Sequence, residues 1–486
     1  MSRKFRPIPR PHIVLAATMM LSPTVALSAQ RATAASGTPG VRIPFEKYTL
    51  PNGLSVVLAE EHSTPTVAVL VNYHVGSKNE QTGRTGFAHL FEHVMFTGSG
   101  HVAYGLHDKF TEGVGGGNNG TTSNDRTVYY ETVPSNYLEH ALWLESDRMG
   151  WLLDALDTGK YNAQRDIVKN ERRQGIDNQP YGRSDELIAA AMYPKAHPYS
   201  WPVIGSMADL AAASVEDVKQ FFRLNYAPNN ATLVLTGDFD RSAAKAWIAK
   251  YFGEVPRGKA IVRPTAAPVV LAAEKRLVYE DRVQVPKLYL RWPVIGVHSD
   301  DQYPLALASD ILTGARTARL TKELVYDRQL ATEVSTFNET NESVGNFHIE
   351  ITPRPGHSLT ELEAAADSII ERFKREGPTV DELKRAKAGL QFSFVSALES
   401  NLGKAFRLAN GQMYFGDPGH DFTVSYIRYQ TVSAADVKRV VNKYLGGGRV
   451  VLSIVPVGKK DQASKPEKST TVSDRSKGAT SAVGTK

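Results

Sequence analysis

The chain has 486 residues, enough for two or three domains. Its 42% hydrophobic and 22% charged residues exclude whole-chain disorder and collagen-like repeats. The net charge of +6, from 57 basic and 51 acidic residues, is too balanced for a nucleic-acid binder, and the absence of cysteine excludes disulfides, thiol catalysis and cysteine-based zinc fingers.

The chain opens with Arg3, Lys4, Arg6 and Arg10, continues through a mostly apolar stretch over 13–27, and reaches small residues around Ala29 and Ala34. This is the layout of a cleaved signal peptide over 1–34. About 15 apolar residues fall short of the ~20 that a membrane span needs. The expectation is an exported protein, periplasmic or secreted, with no stable membrane span after cleavage. The lack of cysteine suits a bacterial periplasm.

Beyond the leader, 45–59 and 66–73 read as paired strands, with Pro51-Asn52-Gly53 as a turn inside the first segment. The spacing predicts a helix over 86–96, an alternating strand over 121–133, and a helix over 135–155 with Leu138, Leu142, Met149, Leu152 and Leu153 on helical spacing. The stretch 161–174 is helical in composition. Strands and helices mix without strict βαβ alternation, which is an α+β pattern.

The chain also repeats itself. Ser214-Val-Glu-Asp-Val-Lys returns 219 residues later as Ser433-Ala-Ala-Asp-Val-Lys, each followed by a tyrosine, a turn and an apolar strand. Thr64-Pro-Thr-Val-Ala-Val-Leu returns 221 residues later as Val285-Pro-Lys-Leu-Tyr-Leu-Arg. Two segments that nearly agree on the offset imply homologous domains in tandem, over 40–255 and 274–458, joined by a Pro- and Ala-containing linker over 256–273. Residues 459–486 are rich in Lys, Ser, Thr and Gly and contain no aromatic residue, so a disordered tail is expected there.

The chemistry is concentrated in His89-Leu90-Phe91-Glu92-His93. On a helix, His89 and His93 are i and i+4 and leave one face together, so both imidazoles can ligate one Zn²⁺. Glu92 can then reach a water at the metal and accept its proton, the reverse-order counterpart of H-E-x-x-H. A catalytic zinc needs a third protein donor and an open position. Glu171 lies in the helical stretch after 77 intervening residues, but spacing alone does not choose it over Asp166, Glu145 or His140. The competing reading of Glu171 is a surface carboxylate paired with Arg172 or Arg173. His101 and His107 read as loop or surface residues, and His348 as a sheet-face residue in an alternating strand.

The motif His89 to His93, the Gly-rich run Gly115-Gly-Gly-Asn-Asn-Gly-Thr-Thr and the segment Asp166-Ile-Val-Lys-Asn-Glu171-Arg-Arg together resemble the pitrilysin or insulinase family of zinc peptidases. The resemblance covers about 40–458 and points to the bacterial branch similar to mitochondrial processing peptidase. It implies tandem α/β-roll domains, each a mixed sheet with helices packed on one face. It implies one Zn²⁺ per chain, with His89, His93 and Glu171 as ligands and Glu92 as catalytic base. Asn119, Gly120 and Thr121 match the strand that pairs with substrate backbone, with Gly120 where the family usually has Ala. Two departures stand out. Gln164 occupies the position where the family often has a supporting glutamate near the metal. In the second half, Val325 and Thr332 occupy the positions of an Arg and a Tyr that hold substrate at the zinc, with Tyr326 and Arg328 out of register. His89, Glu92 and His93 fall opposite Leu305, Ala308 and Ser309, so the second domain is expected to be inactive. The resemblance implies an exported zinc endopeptidase acting on peptides or unfolded segments. It also implies a homodimer, or a heterodimer with a same-fold chain that supplies the Arg and Tyr. The alternative is a non-peptidase structural or binding subunit of the same fold.

Overall fold

The computed structural model describes residues 41–472; the signal peptide expected over 1–34 lies outside them. The described residues build two six-stranded sheets. The first half supplies β1 (Glu46–Thr49), β2 (Ser55–Glu60), β3 (Thr66–Tyr73), β4 (Gly117–Thr122), β5 (Thr127–Pro134) and β6 (Ala231–Gly237), in the order β1-β2-β6-β3-β5-β4. The second half supplies β7 (Lys275–Asp281), β8 (Lys287–Ile295), β9 (Ala331–Thr340), β10 (Val344–Pro353), β11 (Val450–Pro456) and β12 (Thr470–Val472), in the order β12-β7-β11-β8-β10-β9. From β2 to β4 and from β7 to β9 the two orders are identical, as the repeat requires. Each sheet is mixed: β2 runs parallel to β6, and β7 runs parallel to both β11 and β12, while the remaining pairs are antiparallel.

The repeated Ser-x-x-Asp segments start helices at equivalent places. Ser214 and Ser433 each accept the backbone N–H of the aspartate three residues on, and that aspartate accepts the serine N–H in return, a capping box in both copies.

The central strands read as unbroken apolar runs because both faces are covered. In β2, Val56 and Leu58 point into a core filled by the first half's own helices, while Val57 and Ala59 point the other way. That second face, with Leu70, Val128 and Val234, is covered by Ala405, Leu408 and Ala409 of the helix Asn401–Phe415, which belongs to the second half. The exchange is reciprocal. The helices of the first half are α1 (Phe87–Val94), α2 (Leu106–Gly113), α3 (Leu138–Ala155), α4 (Thr158–Arg172) and α5 (Ser184–Met192), with further helices at Met207–Ala212, Val215–Asn225 and Arg241–Phe252. Ile188 and Met192 of α5 pack on Tyr289, Leu452 and Ile454 of the second sheet. Each half therefore lends a helix to its neighbour, and the two share one folded unit.

Three expectations are corrected. The segments 45–59 and 66–73 are not paired with each other: β1 and β2 form a hairpin around Gly53, at φ +94°, and β6 inserts between β2 and β3. The single strand expected over 121–133 is a hairpin of β4 and β5, closed by the Ser123 N–H on the Arg126 carbonyl at 2.8 Å. The expected disordered tail is folded up to Val472. Ser464 is buried, its N–H donates to Ser453 Oγ at 3.0 Å and its hydroxyl to Glu363, and β12 adds to the sheet alongside β7. A polar composition is ordered here because the polar groups find buried partners. Among the described residues, no helix is long and apolar enough to cross a membrane.

Candidate metal centre

Helix α1 starts after Thr85-Gly86, where Gly86 takes φ +93° and has no side chain to cap the first turn. Glu80 does this from a distance: its buried carboxylate accepts the Gly86 N–H at 2.9 Å and the Ala88 N–H at 2.8 Å. Burial pushes that carboxyl up to about 8, against the pull of those N–H groups. The sequence gives no local signal for this cap, because the donor residues lie six and eight positions away.

Phe87, Leu90, Phe91 and Val94 turn into the core, which leaves His89 and His93 on the opposite side of α1, ring centroids 4.9 Å apart. Helix α4 begins at an Asp157 cap, whose side chain accepts the Lys160 N–H at 2.8 Å, and carries Glu171 in its last turn. Glu171 Oε2 lies 3.1 Å from His93 Nε2 and 3.8 Å from His89 Nε2. One ligand atom from each of the three residues falls within 4.8 Å of the others. Burial, with His93 adding to it, holds His89 down at about 4, so its imidazole is neutral and can offer a lone pair. Two imidazole nitrogens and one carboxylate form the set that suits zinc with an open position.

Of the alternatives for the third donor, Glu145 is buried against Arg148, whose Nε donates to it at 2.9 Å. Asp166 is exposed beside Arg165 and Lys169. His140 stacks on Phe110 at 5.2 Å. Only Glu171 among the four meets the two histidines. The competing reading, Glu171 paired with its neighbours, is not what the structure shows: Arg172 turns to Glu186 and the Gly205 carbonyl, and Arg173 to Asn170. Gln164 is buried on α4, two turns before Glu171.

Glu92 sits under β4. A Cβ built on Gly120 would lie 2.9 Å from Glu92 Cγ and 3.3 Å from Phe96 Cε2, so glycine at this position is a matter of space. Burial raises the Glu92 carboxyl above its ordinary value, while Thr122 and His93 pull it back. Strand β4, with Asn119, Gly120 and Thr121, pairs on one side with β5 and is the outermost strand of its sheet. A cleft of about 550 Å³ opens beside this strand, lined by His89 and Thr122 on one side and by Arg291, Phe337, Glu339 and His348 of the second half on the other.

His107, expected at the surface, is buried on α2, 3.3 Å from Glu131. His101 is exposed and bonded to Asp147, and His348 faces Glu339 on the sheet. In the second half, Leu305, Ala308 and Ser309 lie on the helix Gln302–Thr313, where Ser309 Oγ and Thr313 Oγ1 meet Thr336 Oγ1 in a hydroxyl cluster. Val325 packs on the second core, Tyr326 is exposed under Arg316, and the Thr332 hydroxyl donates to the Thr352 carbonyl. Val325, Tyr326, Arg328 and Thr332 are not among the residues that line the cleft.

Residues 55–200 match the family model for insulinase (peptidase family M16), and residues 212–390 match the one for the peptidase M16 inactive domain. His89, Glu92, His93 and Glu171 all fall within the first match. A zinc protease, PqqE, of Helicobacter pylori is 30% identical over 404 residues, covering 82% of this chain and 90% of its own. The mitochondrial-processing peptidase subunit beta of Blastocladiella emersonii is 25% identical over 459 residues, covering 90% and 96%. The crystal structure of a protease from Helicobacter pylori superposes with a TM-score of 0.80 at 28% identity, over 85% of this chain and 100% of that one. With its two mixed-sheet halves and with relatives that match over most of their length, the chain belongs to the insulinase family of zinc peptidases, M16.

Proposed function

We propose that the chain is an exported, zinc-dependent endopeptidase that hydrolyses peptides or unfolded polypeptide segments and works as the catalytic subunit of a dimer. The observation that carries this reading is the convergence of His89 Nε2, His93 Nε2 and Glu171 Oε2 beside an unpaired strand edge, with Glu92 between them and that edge.

His89, His93 and Glu171 would hold the metal. When bound, zinc supplies Lewis acidity, which makes water a usable nucleophile near neutral pH. The open side of β4 offers its backbone N–H and C=O groups to an extended peptide, which fixes the scissile carbonyl by backbone rather than by sequence. Glu92 takes the proton from the attacking water and passes it to the departing amide nitrogen; a carboxyl raised by burial is suited to both halves of that transfer. The cleft walls, which include Arg291, Phe337 and His348, bring the second half beside whatever lies along β4.

The test is paired. The purified chain should contain about one zinc and cleave an unfolded peptide, and Glu92→Gln should keep the zinc while losing at least a hundredfold in kcat. A chain that binds no zinc would instead fit a non-peptidase subunit of the same fold. Export is supported by the basic and apolar leader alone; cell fractionation of the full chain, with N-terminal sequencing of the mature product, tests it.

A further inference from the structure

Arg172 directly follows Glu171, yet it is buried and its guanidinium turns to Glu186 and the Gly205 carbonyl. Its guanidinium makes a two-point contact with Glu186, with Nη2 3.0 Å from Oε2 and Nη1 on Oε1. Nη1 also donates to the Gly205 carbonyl at 2.8 Å. Each of these partners leads to a different part of the molecule.

Gly205, at φ +77°, is pressed against Gly86, the residue that precedes α1: a Cβ on Gly205 would come within 2.4 Å of Gly86 Cα. The next residue, Ser206, donates its N–H to Thr85 Oγ1 at 3.0 Å, and Thr85 donates its own N–H to Asp209 at 3.0 Å. The start of the helix that carries His89 and His93 is thereby fixed relative to Arg172.

Glu186 lies on α5, the helix lent to the second sheet. Its neighbour Asp185 accepts Nη2 of Arg291, a buried residue of β8, at 2.9 Å. Ile188 and Met192 anchor the same helix on Tyr289, Leu452 and Ile454. Two adjacent carboxylates on one helix thus face opposite ways, Asp185 to the second half and Glu186 to the residue beside the third donor.

We propose that Arg172 is a positioning residue for Glu171, and that the second half of the chain, itself without the histidine pair at the equivalent positions Leu305 and Ser309, sets the third metal ligand through α5 and the Asp185–Arg291 and Glu186–Arg172 pairs. The inference rests on the metallopeptidase reading. Its physical basis is that a guanidinium fork held at three points leaves its backbone little freedom, and Glu171 shares that turn of α4. Residues that orient a ligand without touching the metal govern affinity by about 10- to 100-fold.

The experiment measures zinc affinity by chelator competition, and the visible spectrum of the Co²⁺-loaded protein, in full-length variants. Removing Arg172 alone leaves the half-buried Glu186 with Arg183 at 3.5 Å in place of the fork, so the informative variant is R172M/E186M, which removes both members of the pair together and is compatible with folding. It should lower zinc affinity roughly 10- to 100-fold and shift the Co²⁺ bands, while the metal-free protein melts where the metal-free wild type does. Arg172→Lys, which keeps a cation but not the fork, should fall between them. Asp185→Ala, at an exposed side chain, should lower affinity by a smaller factor. Unchanged affinity and spectrum in a folded R172M/E186M overturn the inference while the metallopeptidase reading stands. Loss in that variant with no effect of Asp185→Ala overturns the role given to the second half. A wild type that takes up no zinc overturns the metallopeptidase reading, and this inference with it.

Discussion

Gly120 on β4 lies against the side chain of Glu92, so closely that a methyl group at residue 120 would sit 2.9 Å from Glu92 Cγ. The strand proposed to take substrate and the proposed proton acceptor are thus packed against each other, and the side chain at one position dictates the rotamer at the other.

Gly120→Ala should therefore displace Glu92 without touching the metal donors. A shift of about 1 Å at a reacting group costs up to a hundredfold, so kcat should fall between about ten- and a hundredfold with zinc content unchanged. Steady-state kinetics and metal analysis of the variant check this. An unaltered kcat would mean that Glu92 moves aside freely and that its placement under β4 carries no catalytic weight.

Glu171→Ala should lower zinc occupancy sharply, because two imidazoles alone make an incomplete site. The measurement is metal content after dialysis against a weak chelator. Stoichiometric zinc in this variant would send the search for the third ligand elsewhere, although Asp166, Glu145 and His140 are all engaged away from the histidines in the structure.

What was legible in the sequence follows from how local each relationship is. His89 and His93 are neighbours by helical geometry alone, so five residues announce the pair. Glu171 reaches them only because α4 packs beside α1, and spacing could not choose it; the family resemblance did. The repeat was readable from its capping boxes at Ser214 and Ser433. The insertion of β6 between β2 and β3 was not, because a strand that starts at Ala231, far downstream of Tyr73, leaves no mark on either partner. The alternating pattern over 121–133 hid a turn because Asn124 and Asp125 have polar neighbours on both sides. The order of the chain up to Val472 was missed for a related reason: Ser464 and Lys465 read as tail residues until Glu363 is seen waiting for them.

Glu363 gives a prediction about acid stability. It is buried and takes hydrogen bonds from Arg276, with Nη1 at 2.9 Å, and from Arg449, with Nη2 at 2.9 Å, as well as from Ser464 and Lys465. Burial alone would raise its carboxyl, but Arg276, Ser464 and Lys465 hold it at about 2, below its ordinary 4.5. A depressed folded-state value means that the stabilisation is fully present above about 4.5 and is lost as pH falls from there toward 2. Glu363→Gln should cost about 3 kcal/mol at pH 7, as expected when one partner of a buried charge cluster is removed. The gap between variant and wild type should narrow through that acid window. Denaturant midpoints at pH 7, 4 and 3 test it, and a gap that stays constant with pH would show that the guanidinium contacts contribute no linked stability.

The last prediction concerns the partner. In the family pattern an Arg and a Tyr of the second half hold the substrate at the zinc; here Val325 packs on the second core and the Thr332 hydroxyl is engaged by the Thr352 carbonyl. Neither can offer a guanidinium fork or a phenol to a peptide carbonyl. Tyr326 is exposed beneath Arg316, and neither it nor Arg328 lines the cleft beside β4, so a local shift in register does not restore the pair. Donors aimed at developing negative charge are worth about 3 kcal/mol, roughly a hundredfold in rate. The chain alone should therefore cleave peptides slowly, and a same-fold companion that carries the Arg and Tyr should raise kcat by a hundredfold or more without adding a second catalytic zinc. Co-purification from the native source would identify the companion, and assays with and without it would measure the gain. Full activity of the isolated chain, falling on Tyr326→Phe or Arg328→Ala, would replace this split site with a self-sufficient homodimer.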